Sequence, residues 1–195
     1  NALLVTMAPG RRVLRGDLLV EGSRFRRVGV IGRNDMLGLS KLSVIDGTGL
    51  WAIPGLVQAH VHLCQTLFRG YADDLALIDW LRSRVWPMES AHTPASLRAS
   101  ARLAACELLT TGTTTVLTME TVHDTDAVFE AVAEAGLRAV IGKCMMDADA
   151  SVPARLLEPT QASIDESLAL HRRWHGAAGG RIHAAFAPRF ALSCS

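Results

Sequence analysis

Lysine is nearly missing from this sequence. Only Lys41 and Lys143 occur, so the positive charge is carried almost wholly by arginine, a compositional bias to which no function attaches. Neither sign of charge is in excess: the net charge is +1, which removes the usual motive for a nucleic acid or an anionic membrane as partner. Paired cysteines are missing too. Cys64, Cys106, Cys144 and Cys194 lie far apart and form no Cys-x-x-Cys, which argues against a disulfide framework and for a reduced, cytoplasmic setting. No stretch reaches the roughly eighteen uninterrupted apolar residues of a membrane span, and the N-terminus shows no basic-then-apolar leader. Internal repeats and low-complexity tracts are also lacking. What remains is the composition of a soluble globular protein, 49% hydrophobic and 20% charged.

The residues that are present alternate between two patterns. Up to residue 47 the chain reads as short strands, at 3–7, 17–21, 24–31 and 41–46, with Gly22-Ser23 as a hairpin turn. Beyond it, strands and helices take turns. A helix is expected over 75–85, ended by Trp86-Pro87 because the proline ring disfavours a helical residue before it. Thr93-Pro94 is a helix start, with Thr93 as cap and Pro94 at the first helical position, and Gly112 is the stop. Strands are predicted at 113–119, 138–146 and 181–187, and helices at 124–135 and 163–174. This strand-helix order calls for a parallel sheet or barrel. The boundary between the two regions falls near Trp51.

The stretch that organises the rest is Ala-Ile-Pro-Gly-Leu-Val-Gln-Ala-His-Val-His-Leu-Cys-Gln, residues 52–65. In a strand, residues two apart face the same way, so one running from Ile53 to His62 aims both His60 and His62 into one space. That is how two imidazoles reach one metal ion. The run Leu56-Val57, with Ala59 and Val61, fits a strand buried on both faces, as in a parallel sheet covered by helices. A bare His-x-His is nevertheless a weak motif and is more often core or surface histidine.

The surrounding residues strengthen it. Pro54-Gly55-Leu56-Val57, His60-x-His62, Gln65, Leu67-Phe68-Arg69-Gly70 and Asp73-Asp74-Leu75 together resemble the first barrel strand and following loop of the amidohydrolase superfamily. The likeness is to its deaminase and chlorohydrolase branch, which acts on aminated purines, pyrimidines and triazines. The resemblance implies an α/β fold, a partial TIM-like (β/α)8 barrel of about four βα units preceded by part of a small β-sandwich. Residues 1–50 would be the sandwich portion and 51–195 the N-terminal half of the metal-dependent hydrolase barrel. A barrel of this kind needs about 250 residues, so the chain is expected to be a fragment.

By the same resemblance His60 and His62 are metal ligands to zinc, with iron as the other option, one ion per complete subunit. Zinc held by imidazoles keeps a position open for water and lowers the pKa of that water towards neutrality. The family's further histidines, aspartate and acid/base glutamate belong to strands five to eight, so residues 1–195 hold no complete catalytic set. Binuclear members bridge their metals with a lysine on strand four; Arg181-Ile182-His183-Ala184-Ala185-Phe186-Ala187-Pro188 has none, which favours one metal.

Three further positions belong to the substrate side. Gln65 sits in the loop over the active face, where an amide can pair with a heterocycle's edge. Pro188-Arg189-Phe190 resembles a segment of guanine deaminases in which the arginine meets the purine carbonyl and the phenylalanine packs on the ring; the alternative for Arg189 is a salt bridge within its loop. His123, after the 113–119 strand, either approaches the substrate or caps the next helix. Arg69 reads as a loop anchor, Glu120 as a hydrogen-bonding support, and Lys143 as a packed or surface residue. His92, His171 and His175 read as solvated, and His183 as structural.

The expected activity is hydrolytic deamination of an aminated heterocycle, a guanine-like purine foremost. The alternatives are an aminohydrolase or chlorohydrolase of triazines and a non-catalytic half-barrel. The partner is a small heterocyclic substrate, and the resemblance suggests a homodimer.

Overall fold

The structure, a computed structural model, describes residues 1–71, 73–149 and 151–195. The chain divides into two compact units, Asn1–Gly55 and Leu56–Ser195.

In the first unit, short segments rich in leucine and valine build strands β1 (Ala2–Val5) and β2 (Val13–Glu21), and the arginine-rich segment after them builds β3 (Arg24–Gly29). The two-residue turn Gly22-Ser23 joins the last two antiparallel strands, and Gly22 takes φ +60°, a conformation that only glycine adopts without strain. The fourth strand is not at residues 41–46. That segment is irregular, and its adjacent aliphatics Val44 and Ile45 are 78% and 87% exposed. The edge of β1 is taken instead by the short strand β4 (Trp51–Ala52), in parallel register, giving the order β3-β2-β1-β4.

The second unit is a four-stranded, wholly parallel sheet in the order β5 (Leu56–Val61), β6 (Thr113–Met119), β7 (Arg138–Met145), β8 (Ile182–Pro188). It is an α/β arrangement and the partial barrel that the strand-helix alternation called for. The connecting helices are α3 (Pro94–Thr110), α4 (Asp126–Ala135) and α5 (Thr160–Trp174). Thr93 caps α3 by accepting from the Ser96 amide at 3.3 Å, and Gly136 ends α4 at φ +80°. Leu97, Ala101, Ala105, Val128, Phe129 and Val132 from α3 and α4 pack on Val116, Ala139, Ile141 and Ile182 of the sheet. Trp174 stacks on Phe129 with ring centroids 5.3 Å apart.

Two expectations fail here. β5 is not buried on both faces: Leu56 and Val57 are 52% and 68% exposed. It is an edge strand, hydrogen-bonded among the described residues only to β6. The helix before α3 also does not stop at Trp86-Pro87. It runs as α1 (Leu77–Trp80), a wide turn of i→i+5 type (Leu81–Val85) and α2 (Trp86–Ser90). Proline lacks an N–H and its ring crowds the carbonyl four residues back; widening the preceding turn relieves both, and the helix continues. Trp86 and Val85 thereby enter a second apolar cluster with Leu81, Val122, Cys144 and Met146.

Candidate active site

All four strands of a parallel sheet end on the same side, and His60, His62, Arg189 and Phe190 stand at the ends of β5 and β8 there. His60 is the penultimate residue of β5, and His62 follows its end, opening a tight 3₁₀ turn over Leu63–Phe68. The two imidazoles stand edge to face with centroids 4.8 Å apart. His62 Nδ1 lies 2.7 Å from the Met119 carbonyl at the end of β6. A carbonyl only accepts, so Nδ1 carries the proton and Nε2 keeps its lone pair. Burial lowers the pKa of this histidine, and the Met119 hydrogen bond, which works the other way, does not reverse it. The neutral ring is the form in which imidazole binds a metal.

The turn that His62 opens is gripped from two sides. Glu120, just past β6, is buried and accepts from the amides of Leu63 (3.1 Å) and Cys64 (2.8 Å), and from the Thr118 hydroxyl. From the α3 side, Ser100 Oγ donates to Leu63 O at 2.8 Å and His92 Nε2 donates to Cys64 O at 2.9 Å. His92 is therefore not solvated: it is buried, stacked on Phe68, with Nδ1 2.9 Å from the Ser96 hydroxyl. Its position just before α3 gave no hint of this, because its partner lies 28 residues earlier in the chain.

Burial pushes the Glu120 carboxyl up from 4.5 to about 7, against the hydrogen bonds it accepts. In the unfolded chain it loses its proton near 4.5, whereas the fold holds that proton until about pH 7. The folded state thus binds the extra proton between those values, and this group's contribution to stability falls as pH rises through that window. Glu120→Gln should flatten the dependence of the urea midpoint on pH between 4.5 and 7; an unchanged slope would show that Glu120 does not titrate there.

A second network joins residues from across the sequence. Glu89, in α2 and almost fully buried, binds Arg189 through both oxygens, at 2.6 Å and 3.3 Å, and accepts from Gln65 Nε2 at 2.8 Å. Burial opposes the Arg189 charge, but the adjacent Glu89 carboxylate outweighs it and the guanidinium pKa is raised. Arg189 also lies against the sulfurs of Cys144 and Met146, and Phe190 packs on that same apolar cluster. Glu89 was not anticipated. It sits beyond the proline at which the helix was expected to end, and the only pointer was the need of Arg189, in an apolar stretch, for a counter-ion.

Beside this network a cavity of about 310 Å³ opens, lined by His62, Gln65, Phe68, Tyr71, Trp80 and Met88 among others. His60, His123, Arg189 and Phe190 are not among its lining residues. Arg69, on its rim, pairs with Glu107 in two hydrogen bonds of 3.0 and 2.6 Å, the loop anchor that was expected. His123 turns elsewhere: its Nε2 donates to Arg155 O at 2.5 Å, and it approaches Glu158 and Glu166. Those carboxylates are held by the buried ammonium of Lys143, which pairs with Glu158 and lies 3.6 Å from Glu166.

Parallel βα units with paired imidazoles at the C-terminal end of the first strand define a barrel protein whose working face is its strand ends. The chain belongs to the amidohydrolase family, which residues 51–195 match. It is 36% identical over 182 residues to the 5-methylthioadenosine/S-adenosylhomocysteine deaminase of Carboxydothermus hydrogenoformans, covering 93% of this chain and 39% of that protein. To the 5'-deoxyadenosine deaminase of Methanothermobacter thermautotrophicus it is 38% identical over 183 residues, 94% of this chain and 40% of the relative. Among solved structures, Escherichia coli guanine deaminase superposes with a TM-score of 0.68 at 35% identity, over 74% of this chain and 33% of that one. An adenosine deaminase from Xanthomonas campestris with bound zinc gives 0.59 at 34%, over 69% and 29%. Guanine deaminase from Clostridium acetobutylicum, at 21% identity, shares the fold over the whole chain and 46% of its own, with a TM-score of 0.85. The chain spans about two fifths of the length of the curated relatives it matches.

Proposed function

We propose that this chain supplies the first half of the active site of a metal-dependent hydrolase that removes the amino group of an aminopurine. The observation that carries the reading is the His60–His62 pair at the end of β5, with the His62 tautomer fixed by Met119 so that Nε2 is free to bind. The donor set fits a zinc ion in part: two imidazoles are two of the three protein ligands that a catalytic zinc carries. The remaining ligand and the acid/base group are assigned to the segment that the relatives possess beyond the matched part. A divalent ion held here supplies the Lewis acidity that makes water nucleophilic near neutral pH.

The chain's own residues then bind and orient. Gln65 commits one N–H to Glu89, which leaves its carbonyl oxygen to accept from an exocyclic amino group or a ring N–H in the cavity. Phe68, Tyr71 and Trp80 offer apolar faces to a flat ring. Arg189 has both terminal nitrogens on Glu89 and is buried, so its role is to fix Glu89 and, through it, Gln65. That arrangement and the named activities of the relatives favour an adenosine derivative over guanine, although Pro188-Arg189-Phe190 first pointed to guanine.

A substrate panel tests this in the complete, zinc-loaded protein. Ammonia release from 5'-substituted adenosines should exceed that from guanine by tenfold or more in kcat/KM. A preference for guanine would return Arg189 to the purine carbonyl, and chloride release from a chlorotriazine with no ammonia from any purine would replace the deaminase reading altogether.

A further inference from the structure

At the opposite end of the sheet stand three histidines that the proposed chemistry does not use. His171 lies in the last turn of α5 and His175, four residues on, caps its end, and the His175 amide donates to the His171 carbonyl at 3.0 Å, so the two rings share one face. Their rings stack with centroids 4.2 Å apart. Immediately after, Gly176 at φ +81° reverses the chain, and its amide donates to the Ile182 carbonyl at 2.9 Å. That bond pins the helix end to the start of β8 and sets His183 against His175, with ring centroids 4.7 Å apart and planes at 72°.

The spacing of the facing nitrogens is informative. His183 Nδ1 and His175 Nε2 are 3.4 Å apart. For a hydrogen bond this is long, since N–H donors favour roughly 2.9–3.0 Å. For two imidazoles on one tetrahedral zinc it is the expected value: Zn–N distances near 2.0–2.1 Å put the nitrogens about 3.3–3.4 Å apart. His175 is exposed and His183 half-buried, so an ion reaches the pair from solvent. His171, one helical turn back, stacks on His175 and so fixes the plane of that ring. The contrasting cluster, His123 with Glu158 and Glu166, already has a cation, the Lys143 ammonium, against both carboxylates.

We infer that His175 and His183 form a second binding site for a divalent ion of the zinc, nickel and copper class, at the N-terminal end of β8 and remote from His60 and His62, with His171 stacked against His175 beside it. Imidazole is a ligand these ions share. The site is structural in kind: it ties the C-terminus of α5 to the strand that follows.

The test is the zinc stoichiometry of the complete protein, read by calorimetric titration with zinc alone, for the parent and for His175→Ala/His183→Ala. The double variant should bind one equivalent fewer. His175→Gln, which preserves side-chain bulk, should lose the same equivalent, while circular dichroism shows the fold retained. Because failure of the His60–His62 reading must not be confused with failure of this one, the comparison is repeated in a His60→Ala/His62→Ala background, where the difference of one equivalent should persist. Equal stoichiometry with and without His175 and His183 in both backgrounds would overturn the second site.

Discussion

Glu89→Ala should lower the unfolding free energy of the complete protein by about 3–5 kcal/mol, as expected when one partner of a buried ion pair is removed. The magnitude follows from what is left behind. The Arg189 side chain is only 6% exposed, and without Glu89 its nearest neighbours are the sulfurs of Cys144 and Met146, which cannot replace a carboxylate. Gln65 loses its acceptor at the same time, so the side chain over the cavity is released as well. The pair itself contributes little net stability, because desolvating both charges offsets most of their attraction. Glu89→Leu combined with Arg189→Met should therefore recover most of the loss. Urea unfolding checks both halves: a Glu89→Ala variant within about 1 kcal/mol of the parent would mean that Arg189 finds water or another acid, and that the pair does not organise the site.

The dependence of Gln65 on Glu89 shows why some of this protein was legible in sequence and some was not. Local signals survived intact. Thr93-Pro94 started α3, Gly136 ended α4, Gly22-Ser23 turned the hairpin, and the β-branched run at 113–119 became β6 with the same ends. Each depends on a few adjacent residues, whose conformational preferences act wherever they stand. His60 and His62 stand out in sequence because a period of two is a local property, although β5 ends at Val61 and His62 opens the turn after it.

What failed depended on partners far along the chain. The segment 41–46 has strand-forming residues, but the edge of β1 is taken by β4. Trp86-Pro87 stopped no helix, because burying Trp86 and Val85 against Cys144 and Met146 makes one widened turn worth keeping. His92 looked solvated until its acceptor, the Cys64 carbonyl, was in place, and Glu89 had no meaning without Arg189, one hundred residues later.

The assignment of His60 and His62 has the sharpest test. On the proposed reading, losing either imidazole removes a metal ligand and the several kcal/mol of charge stabilisation that depend on it, which corresponds to a fall of about 10³-fold or more in kcat/KM. The decisive measurement is ammonia release by the complete protein and by its His62→Ala variant, each with zinc content determined on the same sample. The account predicts that the variant loses activity together with the zinc equivalent that the parent needs for turnover, and that adding zinc does not restore it. A His62→Ala protein that deaminates at the parent rate, or a parent freed of metal by a chelator that still does, would contradict it.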